Sequence, residues 1–488
     1  MVSLRSFGME RWIAPMLSSG GNKVNYDYYE YLLRRGPNFE LSPMLATAWE
    51  WSAEDLTWTF DLREGIQWHD GWGEFTAEDV KFTYDLATGE DSINYMSGLF
   101  KRDIESVEVV SPYKVVFNMN KAAWDMPFNL SNVWSQLAIV SKNYIETVGI
   151  EEADRNPVST GPWKFVEHKL GESVTFEAVE DHWRQVPYFK DLTIKLVPEE
   201  ASQIAGLKAG EIDVALLQME SISEIEAESG LRVIRMPNLA MAVIYLNGQY
   251  STDRESYDPT VPWALPDAEK ALKVRKALNL AIDKQAILDN VLYGEGVVAA
   301  VYPFFEGQPA FDPALQPTPY DPEEAIRLLA EAGYPDGFDA TLALVIDRDW
   351  TAPVGEAVAM YWERVGVRVN IQPTDYSTAT ELSRSRGMAG QAMNLSQRST
   401  YDEPYMQLAG TAHTRSGTNW TVEDPELDVL IDKAQDEADA AKRAVIQAEI
   451  RQWMWDNYTV IAIATVGVPI GVSSKVGDWQ IIPRYPYL

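Results

Sequence analysis

The sequence predicts a large protein of the α/β or α+β class, with strands and helices mixed along the whole chain. Segments with the two-residue period of a half-buried strand recur, and segments with helical period and capping residues follow them. The chain has 488 residues, 46% of them hydrophobic and 23% charged, which suffices for large cores. Length alone predicts roughly two to four domains, and the composition excludes a globally disordered chain.

The first predicted pair of elements is a strand at 57–62 and a helix that starts after Thr76. In the strand, the apolar residues that alternate with polar ones are Trp58, Phe60 and Leu62. Thr76 and Asp79 have the spacing of a capping box, which predicts a helix start. The residues expected on the apolar face of this helix are Val80, Tyr84 and Ala87.

A second group of elements is predicted near residue 200. Apolar residues alternate over 192–196, as in a strand. An apolar helix is expected at 201–209, ended by Gly210, because glycine readily adopts the left-handed conformation of a helix C-terminus. A strand at 212–216 follows.

Two helices of the second half have clear start signals. Asp321-Pro322 and Asp424-Pro425 each combine an N-cap residue with a proline at the first helical position, and Gly333 supplies the stop of the first helix. The apolar faces are expected to carry Ile326, Leu329 and Ala330 in the first helix and Leu427, Leu430, Ile431 and Ala434 in the second.

The longest apolar stretch, 460–472, is too short to cross a bilayer. It contains Pro469 and many β-branched residues, so it is expected to form buried strands. Residues 1–12 show neither a basic nor an apolar region of the kind found in export signals. The sequence is therefore expected to be that of a cytoplasmic protein or of a mature form.

Charge and cysteine content exclude several functions. There are 41 Lys and Arg against 73 Asp and Glu, giving a net charge of −32, which disfavours nucleic acid and anionic lipid as partners. The absence of cysteine excludes thiol nucleophiles, disulfides and thiolate metal sites. The signatures of serine hydrolases, P-loop proteins and dinucleotide-binding proteins are missing, so no catalytic residue and no cofactor are expected.

Histidines and carboxylates give no clear catalytic or metal site. The four histidines lie far apart in the sequence without metal-ligand spacing and are expected to be isolated, at the surface or half-buried: His69, His168, His182 and His413. Three acidic pairs would suit a glycosidase dyad in principle, although solvated helix starts are the simpler reading: Glu151-Glu152, Glu199-Glu200 and Glu323-Glu324. No metal is therefore expected.

Aromatic and proline content is high. The 17 Trp and 23 Tyr exceed the usual needs of core packing, which favours a cleft that binds an amphiphilic solute, with core packing as the alternative. Two proline-rich stretches, 251–267 and 302–322, contain aromatic residues and are expected to run as rigid extended segments packed on a surface.

Several phrases in a fixed order identify a resemblance. They are LSPMLATAWE at 41–50, LTWTFDLREG at 56–65, WHDG at 68–71, FTAEDV at 75–80, PVSTGPW at 157–163, LKAGEID at 207–213, VRKALNLAID at 274–283, LLAEAGYPDGF at 328–338 and DPELD at 424–428. With these phrases, the chain resembles the family 5 extracellular solute-binding proteins, the peptide, nickel and oligosaccharide class that serves ABC importers. The phrases have mainly structural explanations and say little about the ligand.

The resemblance implies a periplasmic-binding-protein-like α/β fold of type II, with two hinged lobes that close on a solute and an extra subdomain in the first lobe. By analogy, the first lobe comprises 1–42, 161–247 and 466–488, the extra subdomain 43–160 and the second lobe 248–465. The implied protein is a monomer that works outside the cytoplasmic membrane. It is not an enzyme, and its partners are the permease and ATPase subunits of an importer.

In peptide-binding members of the family, a Trp and an Asp at seven and four residues before the proline of a Glu-Pro motif handle the amino terminus of the peptide. Here the motif Glu403-Pro404 places Gln397 and Thr400 at these positions. The carboxylate is therefore missing, and a buried ammonium would lack its counter-charge unless Asp402 replaces it.

Gln397 to Tyr401 form a run of hydrogen-bonding side chains with one cation, which suits hydroxyls or a carboxylate. The residues expected to bind ligand, each with a packing role as the alternative, are Ser19, Asn22, Trp134, Gln397, Arg398, Ser399, Thr400, Tyr401, Asp402, Asn419 and Trp420. An oligopeptide-like ligand is the first hypothesis, because peptides are the commonest ligands of the family, and an oligosaccharide or other polar solute is the second. A carboxylate-based glycosidase and a solute-sensing receptor remain as alternatives of other classes.

Overall fold

Strands and helices occur along the whole of the described chain, which confirms the mixed α/β class. The computed structural model describes residues 1–17, 24, 28–36, 40–94, 96–132, 137–346, 350–398 and 403–477. None of the helices in these ranges combines the length and the apolar character that a membrane span requires.

The chain divides into two compact units. Unit 1 comprises Met1–Leu217, Ser221–Ile234 and Pro469–Leu488, and unit 2 comprises Gln218–Glu220 and Arg235–Val468. Each unit is therefore built from discontinuous stretches of chain. The predicted lobe boundaries, and the extra subdomain within the first lobe, stay predictions.

Unit 1 contains the first eleven strands and the first seven helices. The strands are β1 (Val2–Leu4), β2 (Leu33–Arg35), β3 (Leu41–Pro43), β4 (Ala46–Ser52), β5 (Thr57–Leu62), β6 (Ile104–Ser111), β7 (Lys114–Met119), β8 (Trp163–Lys169), β9 (Ser173–Ala178), β10 (Asp191–Leu196) and β11 (Val214–Leu216). The helices are α1 (Ala77–Thr88), α2 (Ser97–Asp103), α3 (Met126–Asn129), α4 (Lys142–Val148), α5 (Ile150–Arg155), α6 (Glu200–Ala209) and α7 (Ile222–Glu226).

The remaining elements belong wholly or partly to unit 2. The strands are β12 (Leu231–Leu246), β13 (Val297–Val298), β14 (Asp339–Val345), β15 (Arg368–Thr374), β16 (Gln391–Arg398) and β17 (Val460–Ser473). The helices are α8 (Ala268–Leu280), α9 (Lys284–Asn290), α10 (Pro322–Ala332), α11 (Thr351–Arg364), α12 (Tyr376–Arg384), α13 (Pro404–Thr411), α14 (Pro425–Asp436) and α15 (Ala440–Asn457). Strands β12 and β17 each start in one unit and end in the other.

Unit 1 is organised around two larger sheets. In the first, the order is β17-β11-β1-β10-β9-β8, with β1 parallel to β10 and β11 and antiparallel pairing elsewhere. The second is an antiparallel sheet of order β4-β5-β7-β6. Strands β2 and β3 form a separate antiparallel sheet of two strands.

The sheet of unit 2 has the order β15-β14-β16-β12-β17, with β13 also paired to β17. Strand β14 is parallel to β15 and β16, whereas β16 is antiparallel to β12. Parallel neighbours need crossover connections, and helices α11 and α12 lie in the connections between these strands. The buried residues of β12 and β16 form part of the core of unit 2.

Most local predictions from capping residues are confirmed. Thr76 and Asp79 form both bonds of the capping box at the start of α1. The side chain of Asp321 accepts the backbone N–H of Glu324 at the start of α10, and Gly333 ends that helix in the left-handed conformation. The stretch predicted as buried strands is the single strand β17, which continues through Pro469.

The predicted apolar face of α10 is partly wrong. Ile326 is 46% exposed and Ala330 is also exposed, whereas Leu329 is buried as predicted. The buried face is formed by Ala325, Leu328, Leu329 and Ala332. Each step along a helix turns by about 100°, so a face assigned one residue out of phase includes exposed positions.

The aromatic surplus is explained mainly by packing. Eight of the 17 tryptophans are buried and six more pack against a core in the described part of the chain. The stretch 251–267 runs largely as turns, whereas 302–322 alternates turns with irregular chain, and together they contribute the buried side chains of Trp263, Phe304 and Phe305. Aromatic content is therefore weak evidence for a binding cleft in this chain.

Candidate functional site

The carboxyl end of β16 carries two of the predicted ligand-binding residues, Gln397 and Arg398. Gln397 lies opposite Met241 of β12, and Arg398 lies opposite Ala240. Successive side chains of a strand point to opposite faces of the sheet. Gln397 therefore shares a face with the core residue Leu395, whereas Arg398 is exposed on the other face. Within the strand, the two side chains thus leave on opposite faces of the sheet.

Gln397 is held by a buried tyrosine. The hydroxyl of Tyr245 on β12 donates a hydrogen bond to Oε1 of Gln397 at 3.2 Å. Tyr245 is 0% exposed, and burial raises its pKa well above the usual value of 10. Its hydroxyl consequently keeps its proton at physiological pH and remains a donor.

Trp420 belongs to the same cluster as Tyr245 but has little free surface. Its ring lies nearly parallel to that of Tyr245, with centroids 6.0 Å apart, and to that of Tyr376, with centroids 6.1 Å apart. Only 4% of Trp420 is exposed. In this conformation its ring packs in the core of unit 2 and is not available for stacking on a sugar.

Asn419 is fully buried and bonded within its own loop. Its Nδ2 donates to the carbonyls of Ala412 at 3.2 Å and Val422 at 2.7 Å, and its Oδ1 accepts the N–H of Thr421 at 3.0 Å. With 0% exposure, this side chain stabilises the loop and is out of reach of a solute in this conformation.

The other predicted site residues lie outside the described residues. They are Ser19, Asn22, Trp134, Ser399, Thr400, Tyr401 and Asp402. Glu403, which follows the last of them, is firmly anchored: its Oε1 accepts from Nη2 of Arg443 at 3.0 Å, and its other oxygen accepts from Gln447. Both partners lie on α15. The Glu-Pro motif thus joins the start of α13 to α15.

Unit 1 contains a buried polar network that the sequence did not reveal, centred on Glu30. The carboxylate accepts bonds from Nε of Arg184 at 3.1 Å, Nε1 of Trp183 at 3.0 Å and Oγ1 of Thr160 at 3.1 Å. Glu30 is 0% exposed. The guanidinium of Arg63, the residue after β5, lies over the ring of Trp183, 4.7 Å from its centroid, so a cation–π contact extends the network to the end of that strand.

The pKa of Glu30 is raised from 4.5 to about 7 because burial disfavours the charged carboxylate, although Arg184 and the other donors act in the opposite direction. The balance between desolvation and one guanidinium decides its charge near neutral pH. This makes Glu30 a group of unit 1 that changes protonation in the physiological range.

Two histidines hold the chain beside this network. Nε2 of His182 lies 2.9 Å from the carbonyl of Thr160, and Nε2 of His69 lies 2.9 Å from the carbonyl of Gly161. A carbonyl only accepts, so both rings carry their proton on Nε2. Burial lowers both pKa values, that of His69 to about 4, which keeps the rings neutral at physiological pH.

The prediction of isolated, surface or half-buried histidines is therefore wrong in part. His182 and His413 are buried, at 9% and 6% exposure, and His69 and His182 bond neighbouring carbonyls. Spacing in the sequence could not show this, because the bend before β8, which carries Thr160 and Gly161, brings them together. Among the described residues, no group of three or more metal-ligating side chains occurs.

Contacts in this region also explain the sequence PVSTGPW at 157–163. A Cβ atom on Gly161 would lie 2.2 Å from the carbonyl oxygen of Tyr28, so any other residue would displace the backbone. Oγ of Ser159 donates to that same oxygen at 2.5 Å. The phrase thus fixes the segment that carries Tyr28 and Glu30 against the segment that carries Thr160.

A comparison with known families decides the identity. The pattern of the bacterial extracellular solute-binding proteins, family 5 Middle, matches residues 40–419. The chain belongs to this family. The resemblance drawn from the ordered phrases is therefore confirmed.

Relatives of this family 5 protein include two curated proteins of other bacteria. Heme-binding protein A of Haemophilus influenzae is 27% identical over 378 residues, which cover 71% of this chain and 64% of the relative. The dipeptide-binding protein of Escherichia coli is 26% identical over 477 residues, covering 91% of this chain and 84% of the relative. The chain thus spans slightly less than two thirds of the first relative and most of the second.

A solved structure confirms the fold of this family 5 protein. HbpA2 from Haemophilus parasuis has a TM-score of 0.84 and 23% sequence identity, and the match covers 99% of this chain and 97% of the other. The periplasmic-binding-protein-like fold of type II is therefore confirmed. At this identity, the likeness concerns the fold alone.

Proposed function

We propose that this family 5 protein captures an oligopeptide-like solute outside the cytoplasmic membrane and delivers it unchanged, as a monomer, to the permease of an ABC importer. ATP hydrolysis by the partner subunits supplies the energy. The observation that carries the proposal is the family match over residues 40–419. The relative named a dipeptide-binding protein, aligned over 91% of this chain, supports a peptide-like ligand.

Gln397 and the segment 399–402 are proposed as the part of unit 2 that contacts the solute. Gln397 is half-buried at the end of a strand, and Glu403 is bonded to α15 just after the segment. Residues at the end of a strand are well suited to binding because the sheet fixes their position while their side chains remain accessible. Ser19, Asn22 and Trp134 are the corresponding candidates of unit 1.

Two other ligand classes receive less support. An oligosaccharide would need an open aromatic face, and Trp420, the tryptophan first assigned to this role, is 4% exposed. Heme iron takes an axial His, Cys, Met or Tyr ligand, and of these the chain offers no cysteine. Ring nitrogens of all four histidines lie within hydrogen-bond distance of protein groups: His69, His168, His182 and His413.

The test is a thermal-shift screen of the purified protein with di- to pentapeptides and with oligosaccharides, followed by calorimetry of the hits. A solute that binds only the folded state raises the melting temperature. At one hundred times its Kd, it stabilises the folded state by about 2.7 kcal/mol. We expect peptides, and not sugars, to raise it. If only sugars raised the melting temperature, the peptide assignment would be wrong. If any bound compound were converted chemically, the assignment as a binding protein would be wrong.

A further inference from the structure

Among the described residues, the side-chain amide of Gln397 has one hydrogen-bond partner, Tyr245. Its oxygen accepts the bond from Tyr245, and within the described residues no other group lies at hydrogen-bond distance from this amide. A carboxamide has one acceptor side and one donor side. With the oxygen bonded to Tyr245, the two N–H groups of Nε2 have no partner within the described part of the chain.

Tyr245 is in a position to keep this orientation fixed. Its ring is packed near-parallel to Trp420 and edge-on to Tyr302, with centroids 5.6 Å apart and an interplanar angle of 84°. A ring that is 0% exposed and contacted in this way does not move its hydroxyl freely. The hydroxyl of Tyr245 keeps its proton and donates it to the amide oxygen of Gln397, and the hydroxyl of Tyr302 is its other hydrogen-bonding neighbour.

We propose that Tyr245 is a positioning residue that turns the amide N–H groups of Gln397 toward the solute, so that this position binds a carbonyl or carboxylate of a peptide-like ligand and rejects a free ammonium. The inference rests on the proposed function, because it requires that Gln397 contacts the solute. An ammonium has only donors, and two donors that face each other leave both unsatisfied at a desolvated contact.

The binding test uses two probes that differ only at the amino terminus, trialanine and N-acetyl-trialanine, measured by calorimetry. We expect the wild-type protein to bind the acetylated probe about tenfold or more tightly than the free amine, which corresponds to about 1.4 kcal/mol. In Tyr245→Phe the amide loses its fixed acceptor bond, and the ratio should fall toward one. In Gln397→Glu the preference should reverse.

Tyr250→Phe is the matched control, because it removes the hydroxyl of another buried tyrosine of unit 2 that lies outside the cluster of Tyr245 and Trp420. This variant should keep the wild-type ratio. Preference of the wild-type protein for the free amine, or an unchanged ratio in Tyr245→Phe, would overturn the inference. A merely structural role of Tyr245 would weaken both probes equally.

A second measurement does not depend on any ligand. In protein with isotope-labelled glutamine, assigned by comparison with Gln397→Glu, the carbonyl carbon reports the acceptor side of the amide and the N–H signals report the donor side. We expect Tyr245→Phe to shift the Gln397 carbonyl signal and to leave its N–H signals nearly unchanged. A shift of the N–H signals alone would show the reverse orientation and overturn the inference. If neither probe binds while the carbonyl shifts, the proposed function fails and the orientation stands.

Discussion

Two buried carboxylates, Glu30 in unit 1 and Glu423 in unit 2, have different partners. Glu30 is held by one guanidinium, that of Arg184, together with neutral donors. Glu423, whose side chain is 0% exposed, is held by two: Nε of Arg254 donates to one oxygen at 2.9 Å, and Nε of Arg386 donates to the other at 3.1 Å. The number of cations around a buried carboxylate decides whether its negative charge is compensated.

The two networks also join different stretches of chain. Besides Glu423, Arg254 and Arg386 bond the carbonyls of Thr414 and Ser416, at 3.0 Å and 2.8 Å. The network of Glu423 therefore ties together three loops of unit 2. Removal of one member of a buried charge cluster leaves the others uncompensated, which is more damaging than replacement of the whole cluster.

The largest effect is expected for Glu423→Gln, which leaves two guanidinium groups without their shared counter-charge. We expect a loss of about 3–5 kcal/mol in the free energy of unfolding. Urea unfolding at pH 7 measures it. Glu449→Gln, at an exposed position of α15, is the control and should change little. A loss no larger than that of the control would mean that the two arginines do not depend on Glu423.

Lys284 extends the comparison to a buried amine that has no carboxylate partner among the described residues. It is 3% exposed, no described group lies at hydrogen-bond distance from its Nζ, and burial lowers its pKa from 10.5 to about 7. The unfolded chain thus binds a proton that the folded chain lacks between these values, so stability is lost as pH falls from about 10.5 to about 7. Lys284→Met should stabilise by up to about 4 kcal/mol at pH 7.

The gain from Lys284→Met should shrink toward pH 10, because there the folded and unfolded chains differ less in bound protons. Denaturant unfolding at pH 7 and pH 10 checks this dependence. Lys433→Met, at an exposed position of α14, provides the matched control. A gain that is the same at both pH values would show that the amine is not the source of the effect.

Glu30 gives a test in which the dependence of stability on pH has the opposite sign. Its pKa is raised from 4.5 to about 7, so the folded chain keeps a proton that the unfolded chain releases between these values. Its contribution to stability is complete below about pH 4.5 and is lost as pH rises through about 7. The whole effect is at most about 3 kcal/mol.

Glu30→Gln should therefore gain in stability relative to the wild-type protein as pH rises from 4.5 to 8. The measurement is the difference in free energy of unfolding between the two proteins across this range, in which the other groups largely cancel. Glu105→Gln, exposed on β6, is the matched control. A difference that does not vary with pH would contradict the description of Glu30 as a carboxylate held by too few cations.

The smallest effect is expected at Glu403, a carboxylate with one guanidinium and 20% side-chain exposure. Arg443→Met should cost about 1–2 kcal/mol of stability, because the carboxylate keeps its bond to Gln447 and some access to water. If segment 399–402 contacts the solute, Arg443→Met should reduce the free energy of peptide binding by more than it reduces the free energy of unfolding. Lys442→Met, the exposed neighbour, is the control for both measurements.

The sequence predicted elements whose signals are local. Asp321 caps α10 by accepting the N–H of Glu324, three residues further on, and Thr76 and Asp79 form the expected capping box, because these contacts span one turn. It failed to predict the network of Glu30, whose partners Thr160 and Arg184 lie 130 and 154 residues away in the chain. Such contacts depend on the packing of the strands and have no periodic signature.

The candidate site shows the same limit. The motif Glu403-Pro404 placed Gln397 at an informative position, but the position alone could not show that Tyr245, 152 residues away, bonds its amide. It also could not show that Arg398 points to the opposite face. Asn419 and Trp420 were chosen by composition and analogy, and the burial of both side chains fits the packing role that was their alternative.

The most direct test of the account is native mass spectrometry of the protein after incubation with a defined peptide mixture. We predict one intact peptide per protein chain, released at its original mass and displaced by a competing peptide. Peptide fragments in the bound or free fraction, or a protein that retains no member of the mixture, would contradict the central claim that the chain captures such a solute and passes it on unaltered.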